Sequence, residues 1–262
     1  MSMEEQYTLA ERLAACIIQN RDCRSKVTKE AYVPAFEAFE AACVPAMEAL
    51  EQEKTPVSEL SGQVLDALSA QWQNAGTREG ALLQETDRIV LALFLIPALQ
   101  RRATDRAQML AVCLQEAWQT RDPQSRFRLV RFETIADGFQ KKLLKACYIT
   151  TAVCQSLGKP DNCEELTAFR AFRDEYLLHQ PDGKTLIAAY YETAPGILVC
   201  IGICADAAQR LRSIWQEFLS PCYEALVRGD KQLCMTRYIR MVLTLQQTYL
   251  GETTKNLRSC EL

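Results

Sequence analysis

Apolar residues recur along this chain at intervals of three and four, and no convincing run alternates at intervals of two. That spacing places one apolar stripe on each of a series of helices and leaves no strand to form a sheet. Leu9, Leu13, Cys16 and Ile17 predict a helix over residues 4–20, followed by a polar run. Tyr32, Phe36, Phe39 and Cys43 share a second helical face, which Pro45 should kink or end. Thr55-Pro56 is a helix start with Pro at the first position and Glu59 in the first turn. Its stripe is Val57, Leu60, Val64, Leu65, Leu68 and Trp72, and Asn74–Gly76 closes it.

Thr77 opens the next helix, which leads into Ile89–Leu99, apolar almost all round and therefore expected to be buried on most sides, with Pro97 interrupting it. This run reads equally as a monomer core or as a homodimer interface. Thr104 or Asp105 starts a helix bearing Met109, Val112, Cys113, Glu116 and Trp118, ended by Arg121-Asp-Pro123. Ile135, Phe139, Leu143 and Leu144 predict a helix over 132–147. After a turn at 156–160, Asp161-Asn-Cys-Glu164 resembles a capping box heading a helix to about His179. A short helix from Lys184 to Thr193 should stop at Pro195-Gly196, with a long apolar helix over Ile197–Leu219 and a last one over 231–249. The expected architecture is all-α, a bundle of about ten helices, either continuous or as two packed helical subdomains. A shift in composition at Arg126–Arg131 places a soft boundary near residue 125, giving regions 1–125 and 126–262.

Composition narrows the function classes. With 10 Gly and 9 Pro in 262 residues, the chain favours helix, and no Gly- or Ser-rich linker divides it. A net charge of −3 supplies no basic field to recruit nucleic acid or acidic lipid. The cluster Arg101, Arg102 and Arg106 is offset elsewhere and reads as a solvated face, so nucleic acid is disfavoured. Glu4 and Glu5 stand where a cationic signal-peptide region would lie. The runs Ile89–Leu99 and Gly196–Ile203 fall short of the roughly 20 residues that cross a bilayer. A soluble cytoplasmic protein with no membrane partner is expected. Twelve cysteines then read as mostly reduced, buried thiols rather than a disulfide framework.

The densest chemistry lies between Lys145 and Pro195. Cys147-Tyr-Ile-Thr-Thr-Ala152, the run Arg170-Ala-Phe172-Arg173-Asp174, then Gly183 and Tyr190-Tyr191, follow in order. In residues and spacing this stretch resembles the bacterial CFI-box C-terminal domains, departing at Cys154 and Gln155, where that pattern carries an aromatic and a Gly. The resemblance implies a small helical module of bacterial origin and no established chemistry. Read physically, Arg170, Arg173 and Asp174 at i, i+3 and i+4 line one helix face. With Tyr190 and Tyr191 they make a candidate partner-binding patch, because guanidinium forks bind carboxylates and phosphates. The structural alternative has these arginines hold the following turn.

A second reading uses thiols. Cys147, Cys154, Cys163, Cys200 and Cys204 supply soft ligands for Zn²⁺ or Cu(I), or a redox centre, although no C-x-x-C pair occurs. His179 is the one histidine, which leaves little room for acid–base or Cys–His chemistry. No phosphate loop, nucleophile elbow or zinc-protease motif is present. The expected function is non-enzymatic and without a cofactor: an interaction or scaffold module for an as yet unidentified protein partner.

Overall fold

A computed structural model describes residues 7–140 and 147–251. Every regular element among them is helical, and the β-type pairing they contain is a single bridge between Phe127 and Cys204. The all-α bundle read from the sequence is the architecture observed. Leu143 and Leu144 lie outside the described residues.

The described residues divide into two compact units. The first comprises 7–26, 31–137 and 203–205; the second comprises 27–30, 138–140, 147–202 and 206–251. The first unit therefore runs on past residue 125 to Asp137 and takes back Ile203–Ala205.

In the first unit, α1 (Leu9–Ile18) begins at Thr8, whose hydroxyl accepts from the Glu11 N–H while Glu11 reaches back to the Thr8 N–H. This reciprocal cap satisfies two of the donors a helix start leaves open. α3 (Val57–Asn74) packs against α1, α4 (Thr77–Val90) and α6 (Asp105–Arg121). Gly76, at φ 81°, makes the tight link between α3 and α4. Ile89 through Ile96, with Ala98 and Leu99, is sealed from solvent, so the run completes the core of this unit. Each such large aliphatic side chain contributes about 1.5–3 kcal/mol before the cost of ordering it.

Pro97 does not end this segment. A π-turn, Leu91–Leu95, carries the chain into α5 (Ile96–Arg101). Pro97 has no N–H to give the Leu93 carbonyl, and the buried Tyr32 hydroxyl of α2 (Tyr32–Ala49) donates to it instead, at 2.8 Å. Tyr32 also stacks among Phe36, Phe94 and Phe132. Pro45 likewise sits inside α2 rather than ending it, while Cys43, Ala46 and Met47 around it are buried. Arg12 of α1 donates to the Pro45 carbonyl at 2.9 Å. On α6 the expected face is partly wrong: Ala107, Leu110, Ala111, Leu114 and Trp118 are inward, and Met109 and Val112 are exposed.

In the second unit, Cys147 does not continue the helix over 132–147; it is the N-cap of α8 (Tyr148–Ser156). The upstream α7 covers Phe132–Gln140. The cap of α9 (Glu164–Ala171) is Cys163, and Asp161 is turned away to Arg170, so the capping box expected at Asp161 does not form. α10 (Gly183–Ile203) passes straight through Pro195 instead of breaking there. Residues 27–30 dock on α10 at Glu192 and Gly196, either side of Pro195. The Lys29 N–H donates to the Glu192 carbonyl at 3.0 Å, and the Glu192 carboxylate accepts from Thr28 Oγ1 at 2.6 Å and from the Glu30 N–H at 2.9 Å. A Cβ on Gly196 would stand 1.7 Å from the Val27 carbonyl oxygen, so only Gly permits this approach.

By length and composition α10 is apolar enough to cross a membrane, which counting unbroken apolar runs did not reveal, and half of its most apolar window is buried in the protein. The break expected at Pro195 falls instead after Ile203. The long helix then becomes α11 (Ala207–Ile214), a π-turn at Trp215–Leu219 and α12 (Ser220–Val227), which packs against α13 (Lys231–Leu250).

Replacing Tyr32 by Phe should lower the free energy of unfolding by about 1–2 kcal/mol, because it leaves the Leu93 carbonyl buried without this donor. Urea denaturation checks this. In a Pro97→Ala background, where the backbone donor returns, the same change should cost less.

Candidate functional site

The second unit brings most of the sequence-predicted cluster together, but turns it inward. α9 leads into a π-turn at Phe172–Tyr176 and then a short 3₁₀ turn ending at His179. The extra residue in a π-turn rotates the downstream side chains relative to α-helical spacing. Arg170 and Arg173 differ in burial. Arg170 stays near the surface, giving Nη2 to Asp161 Oδ1 at 2.7 Å and Nη1 to the Asp161 carbonyl at 2.8 Å. Arg173 is 9% exposed.

Inside, the donors of the Arg173 guanidinium reach Asp174, Tyr191 and Cys147, among other partners. Nε and Nη2 grip the Asp174 carboxylate at 2.7 and 2.9 Å. Nη1 reaches the Tyr191 hydroxyl at 3.0 Å and the Cys147 sulfur at 3.7 Å. The bidentate contact is the strong, charge-assisted kind, and it raises the Arg173 pKa. Tyr190, one residue along α10 from Tyr191, accepts the Ile149 N–H at 2.8 Å, which fixes the first turn of α8. The Tyr238 hydroxyl of α13 lies 3.3 Å from Thr150 Oγ1, and its ring packs on Phe169 and Tyr190.

Burial pushes the Cys147 thiol pKa up even though Arg173 pulls it down. Burial also raises Tyr190, Tyr191 and Tyr238. Near neutral pH these groups are protonated and act as hydrogen-bonding links, not as a thiolate or phenolate nucleophile.

Beside this lattice lies an apolar cavity of about 50 Å³, lined by Phe169, Phe172, Leu186, Ile187 and Ile239 together with Arg173. An engineered cavity that holds benzene is about 150 Å³. This one is the size for the tip of a single aliphatic side chain.

The five cysteines of the thiol reading do not converge. Cys147 faces Arg173, Cys154 lies in reach of Cys163, and the Cys200 thiol contacts the Tyr249 carbonyl at 3.9 Å. Cys204 belongs to the first unit, where its sulfur accepts from Arg88 at 3.8 Å. Among the described residues no group of three or more His, Cys, Asp or Glu side chains is placed to hold a metal ion. His179 is exposed at the end of its turn.

The sequence reading missed two buried polar sites in the first unit. Asp87, fully buried, accepts from Arg21 Nε and Nη2 at 2.7 Å each and from Trp72 Nε1 at 2.7 Å. Arg88, 1% exposed, grips Glu85 with Nε at 2.7 Å and Nη2 at 2.6 Å. The one signal in the chain was an Asp-Arg pair abutting a run apolar on every side. No protein-family model, curated protein or solved structure matches the chain.

Arg173→Ala should cost about 1–3 kcal/mol of stability, because it removes a buried guanidinium from partners that its hydrogen bonds satisfy, whereas Arg170→Ala should cost less. Urea titrations of the two variants compare them directly. Raised pKa values at Cys147, Tyr190 and Tyr238 favour folding most below the ordinary thiol and phenol ranges, about 8.5 and 10. Stability should therefore hold from about pH 6 to 8 and fall as pH climbs through and above those ranges. Urea midpoints at each pH, with phenolate absorbance read in parallel, test this.

Proposed function

We propose that the chain is a non-enzymatic interaction module, of bacterial origin and cytoplasmic, whose second unit receives an aliphatic side chain from a protein partner. The cavity beside Arg173 carries this reading. It is apolar, of side-chain size, and bordered by a guanidinium already held in place. Interface hot spots are commonly single anchors seated in such preformed pockets. Arg170 and Asp174, both reachable from solvent, supply charge of each sign near the socket and would set orientation more than affinity. The likeness of 145–195 to the CFI-box domains supports a binding role, since those modules bring no established chemistry. The protonated state of Cys147 and the three tyrosines weighs against catalysis there.

Ile187→Glu places a charge at the socket and should weaken the partner complex by tenfold or more, about 1.4 kcal/mol at least. Leu82→Glu, at an exposed apolar position of the first unit, should leave it intact. Cross-linking in cells that make the protein, followed by mass spectrometry, reads the adducts, and circular dichroism confirms that both variants are folded. Adducts that persist in folded Ile187→Glu would count against the socket.

A further inference from the structure

Three pairs of cysteines are near enough for their side chains to influence one another: Cys16 with Cys43, Cys222 with Cys234, and Cys154 with Cys163. All six are free thiols. In the first two pairs both members are buried, whereas in the third Cys163 is partly exposed and Cys154 is buried. Of the three, only this pair offers a thiol to a solute with a second, buried thiol as its neighbour.

The backbone holds this pair together. Cys154 lies in the last turns of α8, and Cys163 caps α9. The connecting turn is closed by the Lys159 N–H on the Cys154 carbonyl at 2.9 Å and the Cys163 N–H on the Pro160 carbonyl at 3.0 Å. Gly158, at φ 73°, allows the chain to reverse. Lys159 is pinned on both sides, by an ion pair to Glu165 and by the Trp215 ring 5.0 Å from its ammonium. Glu165 also reaches Cys163. The two sulfurs are therefore held in proximity by a turn that gains nothing obvious from either thiol.

We propose that Cys154 and Cys163 form an oxidisable dithiol that closes to a disulfide on reaction with a hydroperoxide. Cys163 gives its proton to solvent, and its sulfur attacks the peroxide; the O–O bond breaks and the alkoxide leaves as the alcohol after taking up a proton. The resulting sulfenic acid is attacked by Cys154 sulfur. The S–S bond forms, the S–O bond breaks, and the departing hydroxide leaves as water with the Cys154 proton. Two thiols are oxidised and one hydroperoxide is reduced to alcohol and water. The inference is independent of the socket and its partner.

The test treats the reduced, intact chain with hydrogen peroxide, quenches it with an alkylating agent and maps cysteines by mass spectrometry. The expected product is a Cys154–Cys163 linked peptide lacking two hydrogens, forming roughly tenfold faster than any link within the two buried pairs. Cys154→Ser should instead accumulate Cys163 sulfenic acid, trapped by dimedone, and Cys163→Ser should show neither product. Circular dichroism keeps the comparison to folded protein. Two outcomes would overturn the proposal: a wild-type Cys163 oxidised to sulfinic acid without linking to Cys154, or buried pairs that link as fast as this one.

Discussion

A guanidinium leaves water at a stable cost only when its N–H groups meet acceptors, and both units are built around that constraint. In the second unit, the partners of Arg173 include its neighbour Asp174, Tyr191 on α10 and Cys147 at the start of α8. These contacts order the first turn of α8 against α10, with Tyr190 completing the arrangement through the Ile149 N–H. In the first unit Arg88 and the Arg21–Asp87–Trp72 triad impose the same demand on α4. Apolar packing supplies most of the free energy in each unit, but it is tolerant of small slips in register. The buried charges are not, because one missed partner leaves an ion in a low-dielectric interior.

Proline sets a second constraint, and the chain meets it in different ways. Pro97 deprives the Leu93 carbonyl of a donor, and a tyrosine hydroxyl from α2 fills the gap. Beside Pro195, the Val27–Glu30 segment docks on α10 with main-chain and side-chain hydrogen bonds to Glu192. Pro45 is carried by burial of the residues around it. In each case the local preference to break a helix is overridden by a tertiary contact.

That override explains what could be read from the chain and what could not. The helical period, the α3 stripe and the final helix were legible because they depend on residues three and four apart. The breaks were not. Stopping a helix at Pro195, or ending one at Pro45, is a local rule, and the partners that cancel it lie far away in sequence. The candidate site shows the same division. Cys147, Arg173, Tyr190 and Tyr191 were picked out together and do come together. Their direction was misread, because helical spacing groups residues on a face but does not say whether the protein covers that face, and Arg173 is buried where a surface patch was expected. The pairing of Cys154 with Cys163 was legible only as two members of a larger cysteine set, since the turn that apposes them is set by Gly158 and by the grip on Lys159.

Internal saturation also bears on what kind of work the second unit is suited to. A catalytic group needs a titration near neutral pH and an unfilled valence pointing at substrate. At the lattice, Cys147 and the tyrosines have been driven the other way, toward the protonated form at neutral pH, and Arg173 is held by Asp174, Tyr191 and Cys147 among its partners. Such a lattice gives shape: it holds Phe169, Phe172 and Ile239 apart around a void that their own packing leaves unfilled. Under the proposed reading, a void this small and apolar would favour a ligand that arrives already ordered, as a side chain on a folded partner does, over a flexible small molecule that must be ordered on entry.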